Sequence, residues 1–260
     1  MSRNILRVPC GKNEKLKALM QKISEDVRIQ TFWKCANVMA IDRMGYSDHG
    51  PTHVKIVANS ALRILRILIK RGVVPSVVKD YGLTDEDAEV IVVLASTLHD
   101  LGMAVEREKH DEHSIFLSVG FLESYLGSMY DETQATILTS EALHALSTHH
   151  HRMRPLTIEA GVVRVADALD MEQGRARIPF KAGKINIHSV SALSIERVKI
   201  EEGVEKPVMI NISMTGSAGI FQVDELLRNK IRNSGLENYI HVIAKITGKK
   251  EATVIERFEI

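Results

Sequence analysis

The sequence predicts a mainly α protein, with an all-helical domain over residues 1–175 and a smaller α+β domain with an antiparallel sheet over residues 176–260. Three observations predict this organisation. Between about residues 13 and 172, apolar residues recur three and four positions apart, which is the helical period. After Gly174 the period changes to two, and β-branched residues become frequent. A chain of 260 residues is also long enough to form its core without disulfide bonds.

The first helices are bounded by a loop rich in Gly, Asp and Pro. An amphipathic helix is predicted over 13–29, and a second helix over 31–44 continues or follows it. The segment 45–51 breaks the pattern and is predicted to be a loop. Pro51 suits the first position of the next helix, because an amide there would be unpaired anyway, and His53 then lies in a first turn.

The next helices carry the residues on which the functional argument depends. Thr84 and Asp87 resemble a capping box in front of an apolar helix that ends at Gly102. That helix carries His99 and Asp100 in its last turn. The remaining helices of this part are predicted over residues 110–126, 131–150 and 158–171.

The second part is predicted to consist of strands around one helix. That helix covers 223–235 and closes on Gly235, and the segment 201–207 is a natural hairpin connection. The strands are predicted within residues 184–190, 192–200, 208–214, 239–246 and 252–260.

Composition excludes several classes of protein. Lysine and arginine number 34 against 33 acidic residues, so no global field attracts nucleic acid or anionic lipid. Cys10 and Cys35 lack the spacing of a zinc knuckle or a disulfide scaffold. The N-terminus lacks a signal-like apolar stretch, and the longest aliphatic run, 90–98, is too short to span a bilayer. We expect a soluble cytoplasmic protein without membrane or nucleic-acid partners, and homo-oligomerisation stays open.

The histidines are clustered, and this clustering suggests a metal site. Of 11 histidines, seven fall in three short clusters. A divalent metal needs imidazole and carboxylate donors that converge from several elements of the fold. Five segments offer such donors: "DHGPTHVKIV" (48–57), "LHDLG" (98–102), "HDEHS" (110–114), "STHHHR" (147–152) and "VADALD" (165–170).

The order of these segments resembles the HD superfamily, which is named after a contiguous His-Asp pair. The resemblance covers roughly residues 45–172. It implies that His53 is the first metal ligand, that His99 and Asp100 are the pair, and that Asp167 completes the site.

The resemblance extends toward the two-metal branch that includes the HD-GYP phosphodiesterases. It implies a second metal held by His110, His149 and His150, with Asp100 between the two ions and His49 as a further donor. The sequence departs from HD-GYP proteins in two places. The His-Asp pair is followed by "LGM" and not by a turn that ends in lysine, and "HHHRMRP" lacks the DG-x-GYP signature. Cyclic di-GMP is therefore a poor candidate substrate.

The resemblance implies a metal-dependent phosphohydrolase, with Asp100 central to catalysis. A metal-bound hydroxide would attack a phosphomonoester or phosphodiester of a nucleotide or nucleotide-like small molecule. The cofactors would be two divalent ions, manganese or iron in preference to cobalt, nickel or zinc. Cations next to the ligand segments can neutralise phosphate oxygens, and the candidates are Lys109, Arg152 and Arg154, with Arg107 beside them.

Two other functions use a similar set of residues. An HD-type diiron oxygenase would activate dioxygen with the same ligands, and a regulatory HD module would bind a nucleotide without catalysis. Oxygen consumption with bound iron separates the oxygenase from the hydrolase. The retention of every core ligand favours an enzyme over the regulatory module.

Overall fold

A computed structural model describes residues 6–150, 153–174 and 191–247, together with the backbone of 257–259. The predicted mainly α fold is confirmed. The helices of the first part are α1 (Glu14–Glu25), α2 (Val27–Asn37), α3 (Pro51–Lys70), α4 (Ser76–Tyr81), α5 (Asp85–Leu98), α6 (His110–Leu126), α7 (Glu132–Thr148) and α8 (Ile158–Ala168). The strand predicted over 184–190 lies outside the described residues.

The N-terminal helical segment is divided where the sequence suggested one helix over 13–29. The cause is Asp26, which has an extended backbone conformation and accepts a hydrogen bond of 2.7 Å from the backbone N–H of Arg28. A side chain that caps a helix start in this way satisfies an amide that would otherwise be unpaired. The chain therefore turns between α1 and α2, and α2 passes into a wider helical turn, Val38–Arg43.

Helix α5 is the central helix of the first part. Both hydrogen bonds of the predicted capping box between Thr84 and Asp87 are present. Every residue from Val90 to Leu98 is buried or half-buried. A helix that is apolar on all sides must be surrounded by other helices, and α1, α3, α7 and α8 pack around it. The C-terminal end of α5 consequently lies inside the protein.

The second part contains a mixed sheet, so the predicted antiparallel sheet is wrong in one pairing. Its strands are β1 (Ile195–Glu202), β2 (Val208–Met214), β3 (Ile240–Ile246) and β4 (Arg257–Glu259), in the order β1-β2-β3-β4. The β1/β2 hairpin and the β3/β4 pair are antiparallel, but β2 and β3 are parallel. Parallel neighbours need a long crossover, and here it contains helix α9, made of Gln222–Arg228 and Asn229–Arg232.

The sheet and the helices share one apolar cluster. Buried side chains of β1 and β2, such as Ile195 and Ile210, belong to the same cluster as Leu62 and Leu65 of α3. The division at residue 175/176 stays a prediction. Among the described residues, no helix is both long and apolar enough to cross a membrane.

Candidate metal centre

The end of α5 brings His99 and Asp100 into the protein interior. The backbone N–H of His99 still donates to the carbonyl of Ala95, whereas Asp100 precedes a short 3-10 turn, Leu101–Ala104. The side chain of His99 is fully buried, and Asp100 is only 5% exposed. A carboxylate with so little access to water needs polar or charged partners.

His53 reaches the same place from the first turn of α3. The helix begins at Pro51, as predicted, and Asp48 Oδ1 accepts hydrogen bonds from the backbone N–H groups of Gly50 and His53. The His53 ring is fully buried, and its Nδ1 lies 2.6 Å from Oδ2 of Asp170. The ring orientation is therefore fixed by a carboxylate, which leaves Nε2 to face His99 at 3.1 Å.

The first group of donor atoms combines two histidines and two aspartates. Oδ2 of Asp100 lies 3.2 Å from Nε2 of His53 and 3.4 Å from Nε2 of His99. Oδ1 of Asp167, on α8, lies 3.4 Å and 3.8 Å from the same two nitrogens. The four residues implied for the first ion thus converge at one point.

The second group adjoins the first through Asp100. The other carboxylate oxygen of Asp100, Oδ1, lies 3.5 Å from Nε2 of His110, at the start of α6. Nε2 of His110 is 3.3 Å from Nε2 of His149, at the end of α7. The ring of His150 lies beside them, with its centroid 5.3 Å from that of His110. Two sets of donors with metal-binding spacing share Asp100: His53, His99 and Asp100, and Asp100, His110 and His149.

The tautomers of these rings fit a bound cation. Nδ1 of His99, His110 and His149 each contacts a backbone carbonyl, which can only accept, so the proton of the neutral ring resides on Nδ1. With the proton on Nδ1, the Nε2 atoms of neutral rings that face each other at 3.1 Å and 3.3 Å present lone pairs to one another. A metal ion placed between two such lone pairs would accept both, so the donor chemistry fits metal binding.

The pKa shifts keep these residues in the forms that bind metal. Burial would raise the pKa of Asp100, but His99 and the hydrogen bond with His53 lower it well below its ordinary value. Burial likewise opposes the ionisation of Asp167, and Lys230 above all brings the pKa of Asp167 well below normal. Burial and the neighbouring His99 and His110 lower the pKa of His149 well below normal. These shifts favour the charged form of both carboxylates and the neutral form of His149.

A cleft of about 300 Å³ gives access to the donors. Arg107 is the one lysine or arginine among its described lining residues, and its guanidinium lies over the ring of Tyr46, 4.0 Å from the centroid. Lys109 and Arg154 are exposed and do not line this cleft, and Arg152 lies outside the described residues. The cleft is lined by His49, Asp100, Met103, Arg107, Glu108, His110, His149, His150 and Asp167.

Comparison with known proteins identifies the family. The family model described as HD domain matches residues 52–172, the stretch that holds the donors from His53 to Asp167. The chain belongs to the HD domain family. The uncharacterized protein MJ1020 of Methanocaldococcus jannaschii is 46% identical over 244 residues, which cover 94% of this chain and 93% of that protein.

Other relatives match a smaller share of this chain. Ribonuclease Y of Alkaliphilus metalliredigens is 36% identical over 83 residues, which are 32% of this chain and 15% of that protein. Ribonuclease Y of Desulforamulus reducens is 27% identical over 168 residues, 63% of this chain and 30% of that protein. The chain therefore spans less than a third of each ribonuclease Y.

Two residues of this HD site were missed by sequence reasoning. Asp170 lies three positions after Asp167, and this helical spacing could have suggested a second carboxylate at the site. Lys230 donates to Oδ2 of Asp167 at 2.7 Å, and it comes from α9 in the second part. Nothing in the residues around Lys230 distinguishes it from the other basic residues of its helix.

Proposed function

We propose that this HD protein is a metal-dependent phosphohydrolase that binds two divalent ions, with manganese or iron preferred. Its substrate is a phosphomonoester or phosphodiester of a nucleotide-like small molecule. The observation that supports this proposal best is the position of Asp100 between two groups of donors. Oδ2 faces His53 and His99, whereas Oδ1 faces His110. A carboxylate with its two oxygens so divided is suited to bridge two ions.

The residues of the centre have separate tasks in this proposal. One ion would be held by His53, His99, Asp100 and Asp167, and the other by Asp100, His110, His149 and His150. Ions held by these residues would supply a water molecule of lowered pKa and positive charge next to a phosphoryl group. Arg107, which lines the cleft beside His110, binds the non-bridging oxygens of the phosphate.

The comparisons and the cleft support different parts of the proposal. The name ribonuclease Y describes an enzyme that cleaves RNA, and its similarity to this chain supports hydrolysis of a phosphate ester. The cleft of about 300 Å³ is at the lower end of the size range of small-molecule sites. This size favours a small phosphate ester over a polymer.

The test is metal content together with hydrolysis. We expect protein purified without chelators to contain about two ions per chain, and to release nitrophenol from mono- or bis-(p-nitrophenyl) phosphate in an EDTA-sensitive reaction. Asp100→Ala should lose both ions and slow turnover by roughly three orders of magnitude, because it removes the charge shared by the ions. Full turnover of a metal-loaded Asp100→Ala variant would contradict the mechanism.

A matched pair of variants on α6 tests the second ion. His110 faces the centre, whereas His113, one turn later, contacts Glu106 instead. His110→Gln should lower the metal content toward one ion, and His113→Gln should retain both. Two ions in both variants would remove the second donor group from the proposal. Oxygen consumption by the iron-loaded protein without phosphate release would favour the oxygenase, and absence of metal would favour the regulatory module.

A further inference from the structure

Lys230 is a buried lysine whose ammonium group lies next to the donors of the first ion. It is 8% exposed, although lysine is rarely buried unless it is paired. Its Nζ donates to Oδ2 of Asp167 at 2.7 Å and to the backbone carbonyl of His149 at 2.7 Å. It does not line the cleft, so its contacts are with the ligand residues and not with the space available to a substrate.

The two oxygens of Asp167 have different partners. Oδ1 faces the Nε2 atoms of His53 and His99, while Oδ2 is held by Lys230. The carboxylate can rotate only if it breaks the contact with Lys230. An outer hydrogen bond of this kind orients a metal ligand and tunes its charge, in the same way that Asp170 orients His53.

Through its contact with His149, Lys230 also orients a residue of the second donor group. Lys230 holds the carbonyl of His149, and Arg164 of α8 donates to the carbonyls of Thr148, His150 and Met153. Two buried cations thus fix the backbone that carries His149 and His150. One of them comes from the helical part, and the other from the β-rich part.

Helix α9 is held firmly enough to position this lysine. Ile231, the next residue, is buried in the shared apolar cluster. Just beyond the helix, the chain passes so close to α8 that a Cβ atom on Gly161 would lie 2.4 Å from the carbonyl oxygen of Ser234. Lys230 therefore extends from an element that packs directly on the helix of Asp167.

We infer that Lys230 is a positioning residue of the metal centre, through which the β-rich part completes a site that the helical part cannot complete alone. The inference rests on the proposed metal centre. It assigns to α9 the role of holding Asp167 and His149 in the geometry that binds the ions.

The experiment measures cobalt(II) binding by absorption spectroscopy, in Lys230→Met, Lys230→Arg and wild-type protein. Methionine preserves most of the apolar stem, so a lysine that only packs would leave binding unchanged. We expect Lys230→Met to weaken cobalt binding by about 10- to 100-fold and to change the visible bands, because Asp167 loses its orientation. Lys230→Arg, which keeps the charge, should recover part of the loss.

Two controls separate the outcomes. Lys245→Met makes the same substitution at an exposed position of β3 and should bind cobalt like wild type. In an Asp167→Asn background, Lys230→Met should have a smaller effect than in the wild type, because the contact with the His149 carbonyl is then the main interaction left to remove. Wild-type affinity and spectrum in Lys230→Met would overturn this inference alone. A wild-type protein that binds no cobalt would refute the metal centre and with it the proposed function, whereas binding without hydrolysis would refute only the phosphohydrolase.

Discussion

Among the basic residues near the ligand segments, position relative to the cleft decides which can contact a substrate. In the sequence, four basic residues lie next to ligand segments and were equal candidates for binding phosphate: Arg107, Lys109, Arg152 and Arg154. In the structure Arg107 lines the cleft and stacks on Tyr46, whereas Lys109, two residues later, is exposed outside it. A guanidinium that is already held by an aromatic ring loses less freedom when it binds a phosphate.

We predict that Arg107→Ala raises KM for a phosphate ester by about 10- to 100-fold, because a hydrogen bond to a charged group contributes about 1.5–3 kcal/mol. Steady-state kinetics with the nitrophenyl esters measures this change. Lys109→Ala is the control and should leave KM unchanged. Equal effects of the two substitutions would remove Arg107 from substrate binding.

At the scale of elements, the approach of α6 to the end of α5 depends on one glycine. A Cβ atom on Gly102 would lie 2.0 Å from the backbone oxygen of His110. The backbone N–H of Gly102 also donates to the hydroxyl of Ser114 at 2.9 Å. The glycine after the His-Asp pair thus allows His110 to approach Asp100.

We predict that Gly102→Ala displaces the start of α6 and selectively weakens the second ion, because His110 can no longer face Asp100. Metal titration should show loss of one ion with the first retained. Gly120→Ala is the control, because Gly120 lies later in α6 and a Cβ there meets nothing within 4 Å. It should bind two ions and should be slightly more stable, since alanine favours helix. Unchanged binding in Gly102→Ala would show that α6 tolerates the displacement.

The start of α5 is held by an aspartate whose contribution to the stability of the protein depends on pH. Asp87 contacts Lys15 Nζ and the hydroxyl of Tyr130 through Oδ1, and Thr84 through Oδ2. Burial would raise the pKa of Asp87, but Lys15 and Thr84 lower it below the ordinary value of 3.8. Because the pKa of Asp87 is lower in the folded than in the unfolded state, its carboxylate stabilises the protein at pH values above its unfolded-state pKa. This stabilisation is lost as the pH falls through the folded-state pKa.

We predict that Asp87→Asn lowers the free energy of unfolding near neutral pH by about 2 kcal/mol, because a capping and ionic network is weakened. Urea unfolding at neutral pH and below pH 3.8 measures the change, and the difference from wild type should shrink at the lower pH. Asp85→Asn, in the same first turn but exposed, should have a much smaller effect. If the difference in unfolding free energy between Asp87→Asn and wild type did not change with pH, the stabilisation by Asp87 would not be ionic.

At the scale of the whole molecule, local features were predictable and distant pairings were not. The capping box at Thr84 and the start of α3 at Pro51 follow from nearby residues, and so do most helix bounds. The parallel pairing of β2 with β3 depends on the crossover through α9, and Lys230 reaches Asp167 across 63 residues of sequence. The donors named from the motifs lie together in space, but their role as ligands stays a prediction.

The candidate metal centre connects segments from five helices, and we predict that ion removal destabilises the protein. The donors belong to α3, α6 and α8 and to the C-terminal ends of α5 and α7. An ion present at 100 times its Kd stabilises the folded state by about 2.7 kcal/mol. EDTA should therefore lower Tm of the wild type in calorimetry but leave Asp100→Ala unaffected. An equal Tm with and without EDTA would contradict ion binding to the folded protein.

The late position of Lys230 also has a consequence for biosynthesis. The donors His53 to Asp167 are translated before Lys230, which follows Asp167 by 63 residues. At about 5–20 residues per second, roughly 3–13 s pass between the two. During this interval the nascent helices can assemble while Asp167 and the His149 carbonyl still lack their cation. If Lys230 positions the donors as inferred, ions would bind mainly after α9 has been translated, and nascent chains that stop earlier would bind ions weakly.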